Sequence, residues 1–265
     1  MGGVAVEFRD VCFAERGSAP RLSHLDLKIE AGETLILLGR SGSGKTTSLR
    51  LVNALLSPTA GEVRIDGRPT TSWDRVELRR RTGYAIQEGG LFPHFTVDRN
   101  VALVPSLLGW ETQRIRERVR EMLTLVGLDP ERFGGRLPAE LSGGERQRVG
   151  VARALAADPP LVLMDEPFGA LDPPTREDIR AEFRSLALRL GKTIVFVTHD
   201  LREALMLGHR IALLAAGRLA FLGTPREMLD SSVEEARAFV RTLSWREATI
   251  GTEWRPADAV RDPHS

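Results

Sequence analysis

The sequence predicts an α/β fold: a mostly parallel sheet covered by helices on both faces, with an antiparallel β subdomain beside it and a helical subdomain inserted between two of its strands. Three observations carry this. The apolar run Leu35-Ile36-Leu37-Leu38 leads into Gly39-Arg40-Ser41-Gly42-Ser43-Gly44-Lys45-Thr46-Thr47, the G-x-x-x-x-G-K-[ST] pattern of a phosphate loop (P-loop) in its strand–loop–helix setting. Two more short apolar runs, Leu161–Met164 and Thr193–Val197, alternate with helical stripes, the pattern of parallel strands buried on both faces. Near the N-terminus the apolar positions recur with period 2, the mark of half-buried strands.

The elements follow in order. Val4, Val6 and Phe8 alternate with Ala5, Glu7 and Arg9; Leu25–Glu30 alternates likewise; Val63-Arg64-Ile65 ends in the turn pair Asp66-Gly67. These three strands are expected to form the antiparallel sheet. Ser48–Asn53 reads as the helix leaving the phosphate loop, residues 75–81 are too charged for core, and Gly83–Gln87 is an apolar strand with a polar end. From about 88 to 157 the character changes: Pro93 and Pro105 break the chain early, and Ile115, Val119, Met122, Leu123 and Val126 share a helical face. Gly144–Ala157 then reads as a helix stopped by Pro159-Pro160. Ile179, Phe183, Leu186 and Leu190 stripe a later helix, and Ile211–Leu222 looks like a hairpin turning at Ala216-Gly217. We place the core domain at residues 1–230. In 231–265, Ser232–Glu235 resembles a capping box, Val233, Ala236, Phe239, Val240 and Leu243 stripe one more helix, and 246–265 read as a loose tail.

Composition narrows the function classes. A chain of 265 residues, 42% hydrophobic and 28% charged, has ample core and no disorder signature. The net charge of +1 gives no reason to expect nucleic acid as partner. Cys12 is the only cysteine, so no internal disulfide is possible and a reducing compartment is favoured. The N-terminal residues lack a signal-peptide pattern, and no apolar run approaches the ~20 residues of a membrane span. A membrane role is therefore expected to come through another polypeptide.

The chemistry starts at the phosphate loop. Its glycines allow a tight turn that aims N–H groups at an anion, and the following helix adds its positive end. Lys45 is expected to reach the β- and γ-phosphates and Thr46 to ligate Mg²⁺. Asp165 and Glu166 follow the apolar strand Leu161–Met164, and the C-terminal ends of parallel strands face the ligand crevice. Asp165 would meet Mg²⁺ and Glu166 could polarise an attacking water. Leu141-Ser142-Gly143-Gly144-Glu145 opens a helix. It reads either as an ordinary serine N-cap or as an anion site built from the Ser142 hydroxyl and two glycine N–H groups.

The order phosphate loop, Gln87, Leu-Ser-Gly-Gly-Glu (141–145), Leu-Met-Asp-Glu-Pro (163–167), Ala-Leu-Asp (170–172) and Thr198-His199-Asp200 resembles the ATP-binding subunits of ATP-binding-cassette (ABC) transporters, over residues 4–230. The resemblance implies the ABC-type P-loop NTPase fold and ATP hydrolysis with Mg²⁺. Gly39 to Thr47 would hold the triphosphate. Gln87 would approach Mg²⁺ and the attacking water and link the site to a membrane partner. Ser142, Gly143, Gly144 and Glu145 would close on the γ-phosphate of the opposite subunit's ATP. Glu166 would be the general base, Asp172 would lie at the dimer interface and His199 would contact the γ-phosphate. The implied partners are a second copy of the chain, an integral-membrane permease and, indirectly, a solute-binding protein, with the chain peripheral on the cytoplasmic face of the inner membrane.

One departure stands out. The family stacks adenine on an aromatic residue near the position of Glu15 or Arg16 here, and the nearest aromatic is Phe13, which reads equally as a stacking ring or as core. The segments 87–97 and 100–110 are similar to importers of osmoprotectants and quaternary amines such as glycine betaine, with Leu91-Phe92-Pro93 as apolar contact surface for the permease. The residues after Leu229 are too few for the paired regulatory domains that many such relatives carry. The rival readings are a cassette for lipid trafficking, export or another solute, an ABC ATPase outside transport, and a nucleotide-gated adaptor. Intact Asp165, Glu166 and His199 argue against the last.

Overall fold

The computed structural model describes residues 2–87, 90–169 and 191–250, with 244–250 by backbone alone. Asp172, the stripe from Ile179 to Leu190 and the tail beyond 250 lie outside the described residues.

Four strands form an antiparallel sheet in the order β2-β1-β4-β5: β1 (Val6–Phe13), β2 (Leu22–Ile29), β4 (Ala60–Ile65) and β5 (Arg68–Pro69). β1 runs longer than its period-2 stretch predicts. Asp10 adopts φ 48° and His24 φ 52°, and the β1–β2 register shifts between Phe8 and Val11, so a bulge interrupts the alternation. The second sheet has six strands, β10-β9-β3-β8-β7-β6: β3 (Thr34–Leu38), β6 (Thr82–Ala85), β7 (Leu161–Asp165), β8 (Thr193–Thr198), β9 (Arg210–Ala215) and β10 (Arg218–Gly223). All neighbours pair parallel except β9 and β10, the hairpin that turns at Ala216-Gly217.

The strand pleat separates the core into two layers. On β3, Leu35 and Leu37 face the antiparallel sheet and α1 (Lys45–Val52), packing with Phe8, Leu27 and Leu49. Ile36 and Leu38 face the opposite layer with Met164, Phe196, Val149 and Ala152. A strand buried on both sides has no polar positions to alternate, which is why these runs read as continuously apolar.

Between β6 and β7 lie α3 (Val97–Leu107), α4 (Thr112–Leu125), α5 (Pro130–Phe133) and α6 (Gly143–Ala156). Their apolar residues, Val101, Val119, Leu123, Phe133 and Val149 among them, belong to the same core cluster as the sheet face they cover. Pro105 lies inside α3, where a break is expected from sequence. It stands close to the helix end, so little helix remains beyond the N–H that proline lacks. The charged 75–81 stretch contains α2 (Arg75–Arg80), capped by Asp74 and burying Leu78 alone.

After β8 come α7 (Leu201–Leu207), the hairpin, α8 (Pro225–Leu229) and α9 (Glu234–Ile250). The α9 stripe of Val233, Ala236, Phe239, Val240 and Leu243 packs on the core. The expected Ser232–Glu235 capping box does not form. Val233 is the cap residue, its carbonyl accepting from Arg237 N, while its own N–H donates to Ser231 Oγ at 3.2 Å. Among the described residues no helix is long and apolar enough to cross a membrane.

Candidate functional site

The register of the parallel strands decides what meets at their C-terminal edge. Leu38 pairs with Thr198, and Val197 with Asp165. The residues that follow, Gly39, His199 and Glu166, therefore leave the sheet at one level although they come from three distant parts of the chain. Glu166 is anchored by its N–H, which donates to Val197 O at 3.1 Å, and holds a left-handed φ of 48°.

Glycine is required at both ends of the phosphate loop. A Cβ on Gly39 would stand 2.5 Å from both Leu214 O and Ser43 Oγ, and one on Gly44, at φ 103°, 2.6 Å from Leu22 Cδ2. Arg40, Ser41 and Gly42 are exposed, whereas Ser43 and Thr47 are buried. Lys45 is 6% exposed and curls back into the loop, donating to Gly39 O (2.8 Å) and Arg40 O (2.9 Å). Burial pushes the pKa of its ammonium down, against the upward pull of Glu166 and Asp165.

Thr46 Oγ1 donates to Asp165 Oδ1 at 3.0 Å. Asp165 is 4% exposed; burial raises its pKa, opposed by the Thr46 hydrogen bond. Glu166 bridges two groups: Gln87 Nε2 donates to Oε2 at 3.3 Å, and His199 Nδ1 lies 3.2 Å from Oε1. An open cavity of about 630 Å³ runs beside Thr46, Gln87 and Asp165, walled by Arg50, Leu56 and Tyr84. The structure thus brings together Lys45, Thr46, Gln87, Asp165, Glu166 and His199.

Ser142, Gly143, Gly144 and Glu145 make no described hydrogen bond to that cluster. Ser142 caps α6: its Oγ accepts from Glu145 N at 3.2 Å while its N–H donates to Glu145 Oε2 at 2.6 Å. That bond from the Ser142 N–H lowers the Glu145 pKa. Among the described hydrogen bonds and ion pairs, none joins these residues to the phosphate loop of the same chain.

Residues 22–169 match the family described as ABC transporter. The chain belongs to that family. The cassette is 51% identical over 235 residues to the choline transport ATP-binding protein OpuBA of Bacillus subtilis, covering 89% of this chain and 61% of that protein. It is 44% identical to the osmoprotectant import ATP-binding protein OsmV of Salmonella typhimurium over 86% of this chain and 59% of that one. To the glycine betaine uptake system ATP-binding protein YehX of Escherichia coli it is 47% identical, with coverage of 87% and 73%. The cassette thus spans about three fifths of the length of the first two relatives. It also superposes on an ATP-binding cassette solved as a dimer in a post-hydrolysis state with ADP and Pi, with a TM-score of 0.76, 38% identity and coverage of 83% of this chain and 99% of that one.

The cassette corrects one reading and adds three residues. Phe13 is 7% exposed and packs in the layer of Leu22, Leu25 and Leu27, so its ring is core and offers no open face for stacking a base. Gln147 donates from Nε2 to Gln87 O at 2.8 Å, and Arg153 from a guanidinium nitrogen to Gly90 O at 2.9 Å. Asn100, fully buried, accepts from Phe92 N and donates to Phe92 O, Phe95 O and Thr96 O, holding the turn that presents Phe92. A polar side chain at an otherwise apolar helix position is the signal for Asn100 and Gln147. Their targets are backbone carbonyls, which no side-chain pattern marks.

Proposed function

We propose that this chain is the ATP-hydrolysing subunit of an importer of osmoprotectants or quaternary amines. It works as a homodimer on a separate integral-membrane permease, supplied by a solute-binding protein, at the cytoplasmic face of the inner membrane. In this reading the ATPase domain spans residues 1–230, with its helical subdomain at about 88–157, and 231–265 form a C-terminal helix and tail. The observation that carries the hydrolytic part is Glu166, which shares one sheet edge with Lys45, Thr46 and Asp165.

The oxygen donors fit a hard cation. The Thr46 hydroxyl and Asp165 carboxylate lie side by side at 3.0 Å, and the Gln87 amide has an oxygen left when its nitrogen is on Glu166. Thr46, Asp165 and Gln87 would hold Mg²⁺, which when bound neutralises charge on the phosphate oxygens. Gly39 to Thr47 cradle the triphosphate through their N–H groups. Lys45 exchanges the loop carbonyls for the γ-phosphate. Glu166 takes a proton from the water that attacks γ-phosphorus, as the bond to the β–γ bridging oxygen breaks. His199 and Gln87 orient the Glu166 carboxylate. The partner subunit's Ser142 loop adds N–H donors to the transferred phosphoryl group.

The solute class is supported by the names of the relatives and by the 87–110 segment. Phe92, 48% exposed beside a groove of about 420 Å³ that Ile86, Gly90 and Val104 also line, is the proposed permease contact. The test is reconstitution of the chain with permease and binding protein in vesicles, with labelled glycine betaine and choline outside. ATP-dependent uptake of either is expected. Hydrolysis without uptake of any quaternary amine overturns the solute class, and absence of hydrolysis in the assembled complex overturns the enzymatic reading.

A further inference from the structure

We infer that Gln147 and Arg153, two side chains on one helix, are positioning residues that clamp the Gln87 segment against Glu166. The inference rests on the ATPase reading above and assigns to it two residues outside the phosphate loop and its carboxylates.

Gln147 is 6% exposed, and its Nε2 donates to Gln87 O at 2.8 Å. Further along α6, Arg153 donates to Gly90 O at 2.9 Å. The two side chains are about 9 Å apart along the helix axis at α-helical rise. One rigid element therefore pins backbone carbonyls at both residues, Gln87 and Gly90. With its carbonyl held, the Gln87 side chain is free to reach across, and its Nε2 donates to Glu166 Oε2 at 3.3 Å. The connection runs from α6 through the Gln87 backbone and the Gln87 amide to the Glu166 carboxylate, whose other oxygen lies against His199.

Packing does not account for these residue types. A buried amide is costly without hydrogen bonds, and an apolar side chain of equal size would fill the space without that cost. Gly90 itself is tightly placed: it holds φ 48°, and a Cβ there would stand 2.1 Å from Ile86 Cδ1. Arg153, Gly90 and Phe92 share the groove assigned to the permease, while α6 begins at the Ser142 cap. The clamp thus ties three places to the position of one amide: the docking groove, the helix end facing the partner subunit, and the carboxylate that activates water.

The test compares Gln147→Leu, Gln147→Glu and Arg153→Lys with wild type in the purified chain. Glu keeps the size of Gln but presents an acceptor to the Gln87 carbonyl; Lys keeps a donor and so should retain most activity. For both Gln147 variants we expect ATP affinity to stay unchanged and kcat to fall about tenfold, the scale of one hydrogen bond. Hydrogen exchange in 86–92 should quicken while the rest of α6 stays protected. In a Glu166→Gln background, Gln147→Leu should cost nothing further, because it acts through Glu166. Unchanged exchange in 86–92 in both Gln147 variants overturns the clamp. Faster exchange with wild-type kcat, or a full additional loss in the Glu166→Gln background, overturns its positioning role. A wild-type chain that hydrolyses no ATP fails the underlying reading instead, and the exchange measurement still judges the clamp.

Discussion

His199 Nδ1 lies 3.2 Å from Glu166 Oε1, a contact made between the residues that follow the ends of two neighbouring parallel strands. It leaves Glu166 with both oxygens engaged, since Gln87 holds the other. Replacing the carboxylate by an amide keeps the shape and removes the base. Glu166→Gln is expected to bind ATP as wild type does and to lose ~10²-fold or more in turnover. Equilibrium nucleotide binding and single-turnover hydrolysis check this; near-normal turnover would assign the water to another group.

The site around Asp165 disfavours the charge of an ionised carboxylate. Burial holds its folded pKa above the ordinary carboxylate value. For an acid shifted upward, the folded state pays for the charge above the folded pKa, and the cost vanishes below the unfolded pKa. Asp165→Asn should therefore raise the Tm of the nucleotide-free chain at pH 7, with the gain shrinking as pH falls toward the ordinary carboxylate range. The same variant should lose Mg²⁺-dependent hydrolysis. Thermal melts from pH 4 to 8 decide it: a lower Tm at pH 7 would mean that the Thr46 hydrogen bond outweighs the cost of burial.

Leu91 and Phe92 are neighbours with opposite environments. Leu91 packs against the core, whereas Phe92 is 48% exposed and its ring meets only Phe95 among the described aromatic contacts, at 5.4 Å. Phe92→Asp is expected to change stability by less than ~0.5 kcal/mol and to abolish permease-stimulated hydrolysis while basal hydrolysis continues. Leu91→Asp should instead lower Tm by several degrees. Melting curves with and without permease vesicles separate the two. Equal destabilisation by both variants would make Phe92 a packing residue.

Ser142 makes no described hydrogen bond to the phosphate loop of its own chain, as a site completed by a second copy requires. Lys45→Ala damages one half of each site and Ser142→Arg the other. A mixed dimer collects both lesions in one site and leaves its second site whole. Mixing the two inactive variants is expected to restore hydrolysis, up to about half of wild type per mixed dimer if the sites act independently. Wild type mixed with Lys45→Ala is the control, because it also leaves one intact site. Activity in the control without recovery in the two-variant mixture would rule out the shared geometry.

Much of this arrangement was legible in the chain. The phosphate loop, the strands that lead into Asp165-Glu166 and into His199, and the hairpin at Ala216-Gly217 were readable because each rests on local rules: glycine where the backbone must turn left, apolar runs where a strand is buried twice, turn residues at a hairpin. The misreadings came where a local rule met a neighbour. Phe13 read equally as a stacking ring or as core until the β1 bulge and the underlying sheet placed it inside. Pro105 looked like a break until α3 proved to end just beyond it.

Sequence alone determined which residue types carry the chemistry, because hydrogen-bonding and metal-binding capacity belong to the side chain itself. Tertiary structure alone decided how they meet. The parallel register sets Glu166 beside His199, α6 brings Gln147 to a backbone carbonyl of Gln87, and the fold turns Phe92 outward while packing Leu91, half-buried, against the core. The physical reason is distance along the chain. Residues that close a site come from separate elements, and their approach is fixed by packing across the sheet and by hydrogen bonds to backbone atoms, which are the same in every residue and leave no mark on the pattern of side chains.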